Sequence, residues 1–254
     1  MSGAARPRPR VAIVVVNYRT AQITCECLDA VAKYVAAGTC EVIVVDNASG
    51  DGSAETIRCR HPQAVLIEEA RNLGFGEGNN RGVAVATAPY VVLLNSDAIL
   101  GMDTPNRLVD HLAAHPEVGC VGPRVNLPDG TRQPRIRGNR PSPRRAILQS
   151  LGLSRLSPLW HGLDGIDCEG PAEPIAPVGW ISGVCMAMRT SDYRAIGGFD
   201  AAFFMYCEDI DLCLRMQQHR GEIVHVDDWP LVHLGGASSR PIAKRLRNAV
   251  WQQR

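Results

Sequence analysis

Two carboxylates in this chain stand just past apolar runs, and three more crowd into four residues beside an aromatic cluster. Asp97 closes Asn95-Ser96-Asp97 directly after Tyr90–Leu94. A strand that delivers a carboxylate to solvent suits Mg2+ or Mn2+, which take oxygen ligands and need few from protein when phosphates supply the rest. The same tripeptide also makes an ordinary Asx turn. Asp46 ends the run Val42–Val45, where it can accept from a ribose hydroxyl or a base imide N–H, or simply close a strand-ending turn. Glu208, Asp209 and Asp211 lie beside Phe203, Phe204 and Tyr206. Mutual repulsion and an apolar setting raise carboxyl pKa values, which is how a general base is tuned; acids also favour the first turn of a helix because of its dipole. His233 precedes Gly235-Gly236 and Ser238. A neutral imidazole there can ligate a metal and a glycine loop can turn N–H groups toward phosphate, although a single histidine near a strand end is as readily structural.

These residues need a scaffold that brings strand ends together. Val11–Val16 is a continuous apolar run, the pattern of a strand buried on both faces. Ala21–Ala36 has helical character, with Leu28, Val31, Ala32 and Val35 on one face and Gly38 as its stop. Val42–Val45 is a second strand; Gly50-Asp51-Gly52 turns, and Ser53 caps the next helix. Val65–Ile67 is a third strand, Asn79–Ala88 a helix ended by Pro89, Tyr90–Leu94 a fourth strand and Thr104–His115 a helix. Strand and helix alternating over about the first 100 residues predict an open, mostly parallel sheet. Ligands of such sheets bind beyond the carboxyl ends of the strands. The residues at those ends are Asn17, Asp46, Asn47, Asn95 and Asp97.

Beyond this half the texture changes. Gly130–Leu163 holds seven arginines and no acid, with recurrent proline, and reads as a long basic insertion. Pro177–Arg189 is apolar again. Phe203–Gln218 is helical after an acidic start, Ile223–Val226 is a last strand, and Val232–Ser239 is a glycine-rich loop. Arg240–Arg254 is basic. The segment Ser2–Arg10, alternating arginine and proline without an apolar stretch, reads as a disordered tail. No linker splits the chain, so one domain spans residues 11–239, with a ligand-binding half over 11–100 and a second half over 101–239.

Composition narrows the choices. The formal net charge is +1 over 254 residues, which gives no reason to expect nucleic acid as partner. Nine cysteines at irregular spacing, without CxxC, fit a reduced cytoplasmic protein. No run of about 18 apolar residues occurs to span a bilayer, though the two basic segments leave peripheral membrane contact open. Gly74-Phe75-Gly76-Glu77-Gly78 is not G-x-G-x-x-G and does not follow the first strand. With no Walker A and no G-x-S-x-G, a dehydrogenase, a P-loop NTPase and an α/β-hydrolase all fit poorly.

Seven segments taken in order resemble glycosyltransferase family 2, the inverting enzymes of GT-A fold, and within it the rhamnosyltransferase-like branch. They are residues 14–18 (VVVNY), 44–53 (VVDNASGDGS), 71–82 (RNLGFGEGNNRG), 93–98 (LLNSDA), 182–189 (SGVCMAMR), 197–215 (from GGFD through CEDIDLCLR) and 233–239 (HLGGASS). The resemblance implies a GT-A fold, a Rossmann-like, mostly parallel α/β sheet flanked by helices with an acceptor-side insertion at 130–163. It further implies a nucleotide-sugar donor, dTDP-L-rhamnose first and a UDP-sugar next, and a glycan, lipid-linked or small-molecule acceptor. Asp46 would bind the base, with Asn17, Tyr18, Asn47, Arg71, Asn72 and Asn79 lining the nucleotide pocket. Asn95-Ser96-Asp97 would stand for the family's D-x-D, leaving Asp97 to hold Mn2+ or Mg2+ with His233. Asp209 would be the catalytic base and Glu208 its orienting neighbour; Asp211, two residues on, is the rival. A non-catalytic sugar-nucleotide or carbohydrate binding module on the same fold is the alternative, and it would leave Asp97 and Asp209 idle.

Overall fold

The computed structural model describes residues 8–101, 103–141 and 174–235. The apolar run at the start becomes β1 (Val11–Asn17), hydrogen-bonded in parallel to β2 (Cys40–Asp46) on one side and β4 (Tyr90–Asn95) on the other. Val11, Ile13 and Val15 enter one core cluster and Ala12 and Val14 the other. A strand covered on both faces has no polar side to show, which is why its sequence does not alternate.

Helix α1 (Ala21–Ala36) carries the chain from β1 to β2, and α2 (Ser53–Arg60) leads on to β3 (Val65–Glu68). Helix α3 (Phe75–Val85) then returns across β1 to β4. The connections therefore reverse direction between β1 and β4, where an open α/β sheet forms its ligand crevice. After these come β5 (Ala98–Ile99), α4 (Thr104–Ala114), β6 (Val118–Asn126), β7 (Arg137–Gly138), β8 (Ile175–Val178), β9 (Trp180–Ile181) and β10 (Cys185–Arg189). Two helices, α5 (Thr190–Ala195) and α6 (Glu208–His219), and a long β11 (Glu222–His233) complete the described chain. The main sheet runs β3-β2-β1-β4-β10-β6-β11-β5, with β8 also on β11, and β7 pairs with β9 in a separate ribbon. β10 is antiparallel to β4 and to β6, and β11 is parallel to β6. The carboxyl ends of β1, β2, β4, β6 and β11 thus share one edge.

Several expectations shift. Helix α3 begins at Phe75, four residues before the expected Asn79, because its glycines serve close packing and not a loop. A Cβ on Gly82 would lie 2.3 Å from Val14 Cγ1, and one on Gly76 2.8 Å from Phe199 Cβ. The helix ends at Val85, ahead of Pro89, where Glu41 accepts hydrogen bonds of 2.7 Å from both Thr87 N–H and Ala88 N–H. Ser53 does not cap α2: Gly52, at φ +85°, takes the cap position, and the Ser53 hydroxyl donates to Asp51 Oδ1 at 2.5 Å. The buried stripe of α1 runs through Thr24, Cys25, Cys27, Leu28, Val31 and Tyr34, with Ala32 and Val35 at its half-buried margin. β11 extends to His233, beyond the strand expected at Ile223–Val226 and into the expected loop. A register shift between Val226 and Leu231 absorbs the acids and proline that break the pattern. Arg10, placed in the disordered tail, donates its N–H to Thr39 O and pairs with Asp110 at 2.6 Å. Residues 1–7, residues 236–254 and residues 142–163 of the basic insertion lie outside the described residues.

Gly82 is the tightest point of α3 on β1. Replacing it with alanine should destabilise the fold by about 1–3 kcal/mol through overpacking, read as a lower urea midpoint at unchanged m-value. An unaltered midpoint would mean that α3 can lift from β1 at no cost.

Candidate active site

The first cluster stands at the carboxyl ends of β1 and β2. Asn17 and Asp46 are register partners, 0% and 4% exposed. Asn17 Nδ2 donates to Asp46 Oδ1 at 2.7 Å and to Ser49 Oγ at 3.1 Å; its Oδ1 accepts from Thr24 at 2.7 Å and Thr20 at 3.1 Å. The Ser49 hydroxyl and N–H close on the same carboxylate at 2.5 and 3.1 Å. Asp46 is therefore fixed before any ligand arrives. Tyr18 is half-buried at the rim, with the Arg19 guanidinium 5.2 Å from its ring centroid.

Asn47 braces the loop that runs beside Asp46. Its Nδ2 donates to Asn72 Oδ1 and Gly74 O, and its Oδ1 accepts from Leu73 N–H. Arg71 and Asn72 then line a cleft of about 330 Å3 with Leu73, Glu77 and Phe204. Asn79 does not join this rim: it is 1% exposed on α3, with Nδ2 donating to Phe75 O.

The second cluster follows β4. Asp97 is buried, and His233 Nε2 lies 2.8 Å from its Oδ1. His233 Nδ1 lies 2.7 Å from Gln133 Oε1. Two oxygens thus face the two ring nitrogens, and the 2.8 Å approach of Nε2 to the carboxylate is that of a hydrogen bond, which a cation ligated by both groups would replace. Among the described residues no third histidine, cysteine or acid joins them to make a closed cage. A carboxylate, an imidazole held through its other nitrogen, and open remaining positions fit Mg2+ or Mn2+ that completes its shell from diphosphate and water. Asn95 contributes its backbone, donating N–H to Val184 O at 3.0 Å. The Ser96 hydroxyl is 3.5 Å from that of Thr20, which links this cluster to the first.

The third cluster opens α6. Tyr206 and Cys207 both take positive φ, +73° and +68°, in a tight turn that aims the next two residues inward. Asp209 Oδ2 accepts from Gly183 N–H at 3.1 Å and Oδ1 from Ile210 N–H at 2.9 Å. Burial raises its pKa, against the pull of those two donors. Glu208 is 6% exposed, and burial, then the neighbouring Asp209, push its pKa up to about 7. Its Oε2 is buried without a partner. Asp211 is engaged elsewhere: Arg215 holds its Oδ2 at 2.6 and 2.8 Å and anchors to Ile196 O and Gly198 O. Gly183, which holds Asp209, immediately precedes Val184, which holds Asn95, so the third cluster adjoins the second.

Sequence reasoning did not single out Thr20, Thr24, Ser49, Gln133 or Gly183. Ser49 and Gly183 sit inside quoted segments and could have been weighed there. Gln133 lies in the basic insertion and carries no local mark of its contact with His233, 100 residues away.

The raised pKa of Glu208 has a thermodynamic consequence. Its folded value of about 7 exceeds the ordinary 4.5, so the native state binds more protons across that window. The contribution is fully present below 4.5 and is lost as pH rises through 7. Unfolding free energy should therefore fall between pH 4.5 and 7, and Glu208→Gln should flatten that fall. Denaturant titrations across the range check it, and an equally steep fall in the variant would move the effect to another group.

The family model for Glycosyl transferase family 2 matches residues 12–163. Among curated proteins, the N-acetylglucosaminyl-diphospho-decaprenol L-rhamnosyltransferase of Mycobacterium tuberculosis is 32% identical over 206 residues, 76% of this chain. The chain spans 66% of that relative's length. Rhamnosyltransferase WbbL of Escherichia coli is 40% identical over 63 residues, 25% of this chain and 24% of the relative. Among solved structures, the mannosyltransferase PcManGT of Pyrobaculum calidifontis, in complex with GDP-Man and Mn2+, superposes with a TM-score of 0.62 at 23% identity, covering 96% of this chain and 61% of that one. The matched fold is GT-A, with its mixed, mostly parallel sheet flanked by helices. On the matched residues, the order of its motifs and this architecture, the chain belongs to glycosyl transferase family 2.

Proposed function

We propose that this protein transfers a hexosyl group, L-rhamnose from dTDP-rhamnose as first choice, to an acceptor hydroxyl by a single inverting displacement. The observation that carries the reading is Asp209. It is a carboxylate held by two backbone N–H groups and raised in proton affinity by burial, and one of those groups, Gly183 N–H, comes one residue before Val184, whose carbonyl accepts from Asn95 N–H. The two rhamnosyltransferase relatives support the choice of sugar.

The geometry supports the following roles. Asp46, immobilised by Asn17 and Ser49, accepts from the nucleobase imide or the ribose, and Tyr18, Arg71 and Asn72 bound that end of the cleft. Asp97 and His233 are the protein groups that would hold Mn2+ or Mg2+, which when bound offsets the charge growing on the leaving diphosphate. Gln133 fixes the ring of His233 through Nδ1. Asp209 takes the acceptor hydroxyl proton while that oxygen bonds to the anomeric carbon and the bond to the diphosphate oxygen breaks. Glu208, largely protonated below pH 7, keeps a second full charge away from the base. Asp211, neutralised by Arg215, stands outside the chemistry.

Two variants separate these roles. Asp209→Asn should lower turnover by about 100- to 10,000-fold, the range for a lost general base, while nucleotide affinity stays within a few fold; turnover near wild type would remove Asp209 as base. Asp97→Ala should erase the gain in dTDP affinity that Mn2+ confers, by more than the roughly 10–100-fold that losing an orienting partner costs. Calorimetric titration with dTDP, UDP and GDP, each with and without Mn2+, measures both the donor class and this dependence. A Mn2+ response that survives in the variant would move the metal elsewhere.

A further inference from the structure

The Asp46 end of the site holds a cation that has no task in the transfer step. Arg19, two residues past β1, takes φ +58°, in the left-handed region that favours glycine. A residue whose only duty was to turn the chain would not need to be an arginine, and backbone strain of this kind gathers where ligands bind. Its backbone N–H donates to Ser49 Oγ at 2.9 Å, and its Nε donates to Ser49 O at 3.0 Å. Its guanidinium carbon lies 5.2 Å from the Tyr18 ring centroid. These contacts fix the guanidinium, yet among the described residues neither Nη nitrogen makes a hydrogen bond. The side chain is exposed. Asp51 feels its charge but does not pair with it: the Ser53 hydroxyl and N–H occupy Asp51 Oδ1 at 2.5 and 3.1 Å. A forked donor is thus held in place with its outer nitrogens open to a ligand.

Asp46 limits what that ligand can be. A carboxylate has about four lone-pair positions. Oδ1 of Asp46 accepts from Asn17 Nδ2 and Ser49 Oγ, and Oδ2 accepts from Ser49 N–H, so one position remains, on Oδ2. It can take a single N–H and cannot grip two neighbouring donors with both oxygens. Guanine, whose ring N–H stands beside an amine, would set that amine against a filled oxygen. Uracil and thymine present one imide N–H between two carbonyls. The N–H suits Asp46 Oδ2, and a flanking carbonyl then calls for a donor alongside. Ser49 supplies the link: its hydroxyl holds Asp46 and its carbonyl holds Arg19, so one fully packed residue sets the carboxylate and the guanidinium side by side.

We propose that Arg19 is a specificity-determining residue of the donor site, donating from its open Nη groups to a carbonyl of a uracil or thymine base whose imide N–H is held by Asp46. This rests on the reading of Asp46 as the nucleobase contact. A guanidinium is a donor only and keeps its charge at every physiological pH. It rewards a carbonyl and opposes an amine turned toward it, so it selects against the wrong base as well as for the right one. Cytosine in the same pose would also set the lone pair of its ring nitrogen against Asp46. Because Ser49 and Tyr18 hold the guanidinium beforehand, little side-chain freedom is lost when the base arrives.

The test is calorimetry on the full chain with Mn2+ and dTDP, UDP, CDP or GDP, for wild type, Arg19→Gly and Arg19→Lys, with urea unfolding of each. Wild type should bind dTDP or UDP at least about tenfold tighter than CDP and GDP, the worth of one hydrogen bond to a charged donor. Glycine suits a φ of +58° and keeps the backbone N–H that holds Ser49, so Arg19→Gly should fold with a urea midpoint close to that of wild type. It should nevertheless lose that preference, with weaker dTDP and UDP binding and unchanged CDP and GDP binding. Arg19→Lys, which keeps the charge without the fork, should recover only part of it. A loss shared alike by all four nucleotides would assign Arg19 to the diphosphate or to loop order and overturn the proposal. A wild-type preference for GDP or CDP would overturn it too, and both results leave the transferase reading standing. If no nucleotide binds the folded wild-type chain, the transferase reading falls and this proposal falls with it.

Discussion

Asn17 is fully buried and makes four side-chain hydrogen bonds, two given and two received, which exhausts its amide. Such a side chain cannot turn without leaving buried polar atoms unpaired, and that cost is what holds Asp46. The parallel register of β1 and β2 puts the two residues side by side. Ser49 then reaches back from the following turn to the same carboxylate. Thr20 belongs to this network and touches Ser96, so the position of the Asn95-Ser96-Asp97 turn depends on it too. The apolar sheet supplies rigidity; Asn17 converts it into the placement of two carboxylates from different strands.

The opposite side of the cleft is organised at a cost. Tyr206 and Cys207 both occupy the left-handed region, which costs roughly 1–3 kcal/mol for each non-glycine residue. Glu208 beyond them is buried with one oxygen unpaired. A sequence selected for stability alone would have no reason to place an acid pair there. Compensation comes from the dipole at the start of α6 and from Phe75 N–H, which donates to Phe204 O and docks the turn against α3. The approach is so close that a Cβ on Gly74 would lie 2.2 Å from Phe204 O.

The legible parts of the sequence were those whose cause is local. β1, β2 and β4 are apolar enough to be read at sight, and the polar residues that end them mark the ligand edge. β6 was not legible. Its sequence, Val118-Gly119-Cys120-Val121-Gly122-Pro123-Arg124-Val125-Asn126, has two glycines and a proline, and it is a strand because its neighbours make it one. The proline is tolerated because β10 pairs with β6 only at Cys120 and Val121, so Pro123 needs no partner on that side. The antiparallel β10 between β4 and β6 is likewise a product of chain return, which no single segment announces. In the site, acids at strand ends could be read, while Gln133 could not, because it acts through His233, 100 residues away in sequence. Asn47 and Asn79 were candidates by strand-end position and by resemblance; in the fold Asn47 braces the loop at residues 72–74, and Asn79 donates to Phe75 O while its Oδ1 stays buried without a partner.

The basic insertion shows why charge in a sequence is a weak guide until the fold is known. Read along the chain, its arginines suggested a site for a lipid diphosphate or an anionic membrane face, or a solvated loop. In the fold, Arg137 is 8% exposed and Arg132 pairs with Asp227, an acid contributed by a strand 95 residues away. Part of the counter-charge of this segment, Asp227, is on β11. Arg124 and Arg132 share the Asp227 carboxylate, so the fold decides which charges meet, whatever their spacing along the chain.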